Sequence, residues 1–154
     1  MSGCPGSRMM SFGKDGENET AGSMAPSRLR QWPIQLHLVS PLAPYYQGAD
    51  VLLAADCTAF AMGSFHEDYL KGRSLAILCP KLDAEQEIYV EKIRGLIEES
   101  KVNSLTVAIM QVPCCRGVLG LVAQAAQACT RKVPIRVVVV GLQGNILQDE
   151  PVEV

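Results

Sequence analysis

SLTVAIMQVPCCRGVLGLVAQAAQACT, residues 104–130, is the stretch whose reading decides the fold. It opens with seven residues that are almost continuously apolar, Ser104 to Met110, the composition of a strand buried on both faces. It turns at Val112-Pro113 and continues from about Gly117 to Thr130 with Val118, Leu121, Val122, Ala125 and Cys129 on one helical face. A buried strand followed directly by an amphipathic helix is half of a βαβ crossover. Two adjacent cysteines, Cys114 and Cys115, sit at the hinge between the two elements.

The same rhythm runs outward in both directions. Ile34 to Val39, Val51 to Ala55, Ser74 to Leu78 and Ile135 to Val140 read as further strands. A helix is predicted within Leu82 to Ser100, with Asp83 as its cap, Gln86 three residues later, and Tyr89, Val90, Ile93, Leu96 and Ile97 on its apolar face. A shorter helix is predicted from about Met62 to Lys71, stopped by Gly72. Right-handed crossovers then give an α/β fold: a small three-layer Rossmann-like domain with a mostly parallel sheet of about five strands.

The chain has 154 residues, 48% of them apolar, which suits one domain with a proper core. We divide it into a flexible lead, 1–28, containing Cys4; a single α/β domain, 29–147; and an acidic tail, 148–154, after a short edge strand near Asn145 to Leu147. Fourteen basic and 16 acidic residues leave a net charge of −2 without a basic stripe, which argues against nucleic acid. No apolar run is long enough to cross a bilayer and no secretory signal is evident, so a cytoplasmic location is expected.

Reducing cytoplasm disfavours structural disulfides, so the six cysteines are read as core, metal ligands or reactive thiols. Cys129 lies on an apolar helix face and is assigned to the core. Cys57, Cys79 and the Cys114/Cys115 pair each follow a predicted strand, and in a parallel sheet those carboxyl ends share one edge. Following helix N-termini favour thiolates, and Lys81 and Arg116 add positive charge as cofactor-binding residues. Cys57, Cys79, one of Cys114/Cys115, and Cys4 from GCPGSR would supply the four thiolates of a [4Fe-4S] cluster. Zinc is the alternative occupant. His37, inside the first predicted strand, is assigned to packing, and His66 to a polar helix face. No nucleotide motif is present.

LRQWPIQLHLVSPLAPYYQGADVLLAADCTAFAMGSFHEDYLKGRSLAILCPKLD, together with YVEKI, MQVPCC and GLQGNI, resembles the C-terminal domain of a family of iron–sulfur (4Fe-4S) ferredoxin-like proteins of anaerobic bacteria and archaea. The likeness runs from Leu29 to Ile146 and takes in GCPGS of the lead. The N-terminal ferredoxin module of that family is missing here. The resemblance implies an iron–sulfur electron-transport protein with a ferredoxin-type or other redox partner. A thiol-redox enzyme using the vicinal cysteines and a zinc-bearing interaction module are the competing functions.

Overall fold

The computed structural model describes residues 5–12 and 25–154. Two short strands come first, β1 (Met10–Ser11) and β2 (Gln31–Trp32), paired antiparallel. The main sheet is built from β3 (Asp50–Ala55), β4 (Ser74–Leu78), β5 (Ser104–Met110), β6 (Ile135–Val140) and β7 (Ile146–Val152). Its order is β4-β3-β5-β6-β7, parallel throughout except for β7, which folds back antiparallel on β6. The expected α/β class and five-stranded, mostly parallel sheet are therefore present. Strands 51–55, 74–78, 104–110 and 135–140 fall where the apolar runs placed them.

Register separates the two sheet faces. Ile109, Val137 and Val139 share the face covered by Leu119 of α3 (Arg116–Gln127), which packs against α2 (Gln86–Glu98). Arg136 lies on the opposite face, paired with Asp149 of β7, and the Tyr69 hydroxyl donates to Asp149 at 2.9 Å. The segment that follows β3 therefore crosses this second face, completing three layers. It holds α1 (Thr58–Ala61) and a π-helical turn (His66–Leu70). One helix was predicted over Met62 to Lys71; Gly63 and Ser64 interrupt it, and Gly72 ends the segment at φ +76°.

Three further expectations need correction. Ile34 to Val39 is not a strand: it makes one parallel bridge, Gln35 to Ile77, and then turns. Lys92 of α2 accounts for the turn, because its ammonium donates to the carbonyls of Leu36, His37 and Val39 at 2.9, 2.7 and 2.9 Å. These carbonyls find their partner in a side chain and not in a sheet ladder. Nor are residues 148–154 simply an acidic tail, since β7 runs to Val152 and its acids face solvent along an outer strand, where charge and Pro151 are tolerated. Met10 and Ser11, assigned to a flexible lead, form β1.

The other sheet edge is closed at Ile77 by the Gln35 bridge and at Leu75 by a side chain. Gln31 donates to the Leu75 carbonyl at 2.6 Å and accepts from the Leu75 amide at 3.1 Å, so its amide group stands in for a neighbouring strand.

Candidate functional site

The chain leaves β3 for β4 on one side, then returns across β3 through α2 to reach β5 on the other. The direction of winding thus reverses between β3 and β5. In doubly wound folds the crevice at the carboxyl ends of those two strands is where ligands bind. Cys57 comes two residues after β3, and Cys114 and Cys115 come four and five after β5. Cys79 follows β4 directly, and the Asp56 amide donates to the Leu78 carbonyl at 3.0 Å, so Cys79 and Cys57 stand at nearly the same level. Strands in a sheet lie about 4.8 Å apart. Three adjacent strand ends therefore carry thiols around one crevice.

A tight contact draws the outer two turns together over β3. Gly117, in the first turn of α3, lies against Pro80; a Cβ there would meet the Pro80 Cβ at 3.0 Å. Pro80 follows Cys79 and Gly117 is two residues past Cys115. The glycine lets the Cys79 turn and the cysteine doublet approach each other.

The doublet divides by exposure. Cys114 is exposed at the rim beside exposed Cys57, whereas Cys115 is buried. Burial pushes the Cys115 thiol up; a backbone hydrogen bond at Met110 opposes this, and the Cys114 and Cys57 sulfurs add to the rise. Cys115 occupies the N-cap position of α3 without a side-chain cap hydrogen bond, and desolvation is the largest influence on its thiol.

Cys79 sits in a second group. Its amide donates to Asp83 Oδ2 at 2.8 Å, the Asp83 amide donates back to the Cys79 carbonyl at 3.0 Å, and the Tyr89 hydroxyl donates to the same carboxylate. Asp83 and Gln86, predicted to cap α2, instead lock this turn: Gln86 Nε2 donates to the Pro80 carbonyl at 2.6 Å. The N-cap position falls to Glu85, at φ 54°. His37 stacks on Tyr89 with centroids 4.1 Å apart, and its Nε2 bonds to the Ala84 carbonyl at 2.7 Å. It is packed as assigned, in a turn and not a strand. Asp56 lies between the two groups. Burial raises its pKa, Asp83 adds to the rise, and its Oδ1 is buried with no hydrogen-bond partner.

Lys81 and Arg116 are exposed, and Arg116 lines a cleft with Leu119, Val139 and Leu147. Cys4 lies outside the described residues. Cys129 is buried, its thiol donating to the Ala125 carbonyl at 3.2 Å, as the core assignment requires. His66 Nδ1 accepts from the Arg28 amide at 3.0 Å and takes no part in the rim. Among the described residues no three His, Cys, Asp or Glu side chains gather closely enough to hold a metal ion. A cavity of about 580 Å³ opens at the opposite, amino edge, lined by Arg30, Tyr45 and Asp50; it contains no thiol, and Asp50 is already committed to Ser104 and Asn103. Sequence reasoning missed Tyr89, Gly117 and Gln111 as builders of the rim. Tyr89 was legible only as an apolar helix position.

Residues 43–154, from the loop before β3 to the C-terminal residue, match the Rossmann-like domain family. The chain belongs to that family. It is also similar to an uncharacterized protein of Archaeoglobus fulgidus, 28% identical over 118 residues, which span 77% of this chain and 82% of that protein. No solved structure matches it. The Rossmann-like assignment agrees with the switch-point crevice, and neither similarity specifies what the crevice holds. Among the described residues no helix is long and apolar enough to cross a membrane.

Proposed function

We propose that this Rossmann-like protein is an iron–sulfur redox protein. In it Cys57, Cys79, one of Cys114/Cys115, and Cys4 hold a [4Fe-4S] cluster at the switch-point rim, which exchanges single electrons with a ferredoxin-type partner. The observation that carries this is the run of thiols after β4, β3 and β5, three neighbouring parallel strands. The donor set is all thiol, and soft thiolates select iron–sulfur clusters or zinc over hard cations. Among the described residues no three of these side chains stand close enough to share a metal ion, so cluster binding requires the three rim turns to draw together as well as Cys4 from the lead. Residues 5–12 support that route. Met10 pairs with Trp32, Trp32 Nε1 donates to the Gly6 carbonyl at 2.7 Å, and Gln35 bridges Ile77 near the end of β4. Gly6 therefore lies beside Trp32, on the segment that leads into the Gln35–Ile77 bridge.

Within this site Asp83 holds the Cys79 turn through the amide, and Gly117 admits the doublet. Lys81 and Arg116 offset the negative charge of a thiolate cluster. Resemblance to the iron–sulfur ferredoxin-like family of anaerobic bacteria and archaea agrees with this function, as does a reducing, cytoplasmic setting. Protein purified without oxygen should be brown, contain iron and sulfide, and lose both in Cys57→Ala and in Cys79→Ala. Exposure favours Cys114 over Cys115 as the ligand, so Cys114→Ser should lose the cluster and Cys115→Ser retain it. A colourless, iron-free product after reconstitution would refute the proposal, and tightly held zinc in its place would assign a structural module.

Thiol–disulfide exchange is favoured by one observation, the exposure of Cys57 and Cys114 after the adjacent strands β3 and β5. A Cys114 thiolate would attack a partner disulfide and release one partner thiolate, and Cys57 would then displace the second, leaving a Cys57–Cys114 disulfide and a reduced partner. Peptide mapping after mild oxidation tests this: absence of that disulfide excludes it.

A further inference from the structure

The carboxyl rim carries large apolar side chains that a cluster site does not require. Phe60 is 93% exposed, Leu82 84% and Leu142 63%. Each stands on a turn that is tied down. Phe60 lies in α1, where the Thr58 hydroxyl donates to the Ala55 carbonyl at 2.8 Å and the Ala61 amide to the Cys57 carbonyl at 3.1 Å. Leu82 sits in the turn closed by the reciprocal Cys79–Asp83 bonds. The Leu142 amide donates to Gln111 Oε1 at 2.7 Å, and Gly144 seats the same turn against the Ala61 carbonyl, 2.4 Å from where a Cβ would be. Phe60 and Leu82 are the two most exposed of the large apolar side chains among the described residues.

Their positions interleave with the thiols. Phe60 belongs to the Cys57 turn, Leu82 to the Cys79 turn, and Leu142 is bonded to Gln111, three residues before Cys114. The surrounding charge indicates the kind of partner. Lys81 and Arg116 are exposed, flank Leu82 and Cys115, and make no ion pair among the described residues. Of the rim carboxylates, Asp83 is committed to Cys79 and Tyr89, and Asp56 Oδ1 is buried. Glu85 is the exposed acid of this loop. A chain with net charge −2 thus directs two uncommitted cations outward beside its apolar knobs.

We propose that this rim is the docking face for an acidic electron-carrier protein, with Phe60, Leu82 and Leu142 entering its apolar centre and Lys81 and Arg116 meeting its carboxylates. The proposal rests on the cluster function above and supplies its partner surface. Such a face would bring the rim thiols close to the carrier while excluding water from the contact.

The test uses the full chain and a purified acidic [4Fe-4S] ferredoxin as probe, with both proteins oxidised so that calorimetry reads binding alone. Iron and sulfide content of each preparation is measured first. Binding should weaken as salt rises, and Phe60→Ser and Leu82→Ser should each weaken it about tenfold or more with iron content unchanged. The Lys81→Gln, Arg116→Gln double variant should abolish the salt dependence. Iron-loaded protein that does not bind the ferredoxin, or binds equally well in both apolar variants, overturns the docking face and leaves the cluster standing. Iron-free protein that binds with the stated salt and variant effects supports the face and removes the cluster. A homodimer in sedimentation that Phe60→Ser dissociates overturns the proposal, because a second copy would then be the occupant.

Discussion

Replacing Gly144 with alanine should destabilise the protein by about 2–6 kcal/mol, a sum of two separate costs. Gly144 has φ +86°, a conformation that costs a residue with a side chain about 1–3 kcal/mol. The new methyl would also stand 2.4 Å from the Ala61 carbonyl oxygen and 3.5 Å from Met62 Cα. Both are backbone atoms that cannot rotate aside, and overpacking of this kind costs about 1–3 kcal/mol. Lifting the 141–145 turn would relieve the clash only by stretching the Leu142 amide from Gln111 Oε1, now 2.7 Å away. For a chain of this size each kcal/mol moves Tm by about 2–4 °C, so a fall of about 4–24 °C is expected. Urea unfolding followed by circular dichroism gives the free energy directly. Gly120→Ala is the matched control: it lies inside α3 with nothing within 4 Å of its Cβ position, and should stabilise by up to about 1 kcal/mol. A Gly144→Ala loss below about 0.5 kcal/mol, the range of ordinary surface changes, would refute the packing of the β6–β7 turn on α1.

Gly117→Ala should cost less, about 1 kcal/mol, because the Pro80 ring can yield a few tenths of an ångström and the helix gains propensity; it should nonetheless lower iron retention, and full retention would separate the Gly117–Pro80 contact from the site. Lys92→Met removes one charged donor from three carbonyls and should cost about 2–4 kcal/mol by urea unfolding, with Lys92→Arg failing to restore it. Burial lowers the His66 pKa from 6.5, so the unfolded chain takes up the proton first as pH falls. Stability from the neutral ring is therefore complete above about pH 6.5 and lost below it, at no more than about 1.4 kcal/mol per pH unit. His66→Asn should flatten the stability profile in that window, and an unchanged slope between pH 6.5 and 5 would place the effect elsewhere.

What the amino-acid order determined by itself is the parallel core and the location of the thiols at its ends. Runs such as SLAIL and IRVVVV cannot be exposed on either face without a large hydrophobic cost, so they form interior strands wherever the chain places them. Residues that directly follow such strands must then lie at the carboxyl edge, which is why Cys57, Cys79 and the doublet were legible as a group. IQLHLV carried the same apolar signal and failed, because its carbonyls were captured by Lys92, 53 to 56 residues away. QDEPVEV carried none and still formed most of an outer strand, held by Arg136 and Tyr69. Asp83 and Gln86 had the spacing of a helix cap, yet they satisfy the turn around Cys79. Which thiol of the doublet faces solvent, which glycine admits the neighbouring turn, and which leucines are held outward follow from contacts between distant segments. Local sequence expresses hydrophobic period and turn chemistry within a few residues, whereas strand order and loop packing are settled only when the whole chain closes.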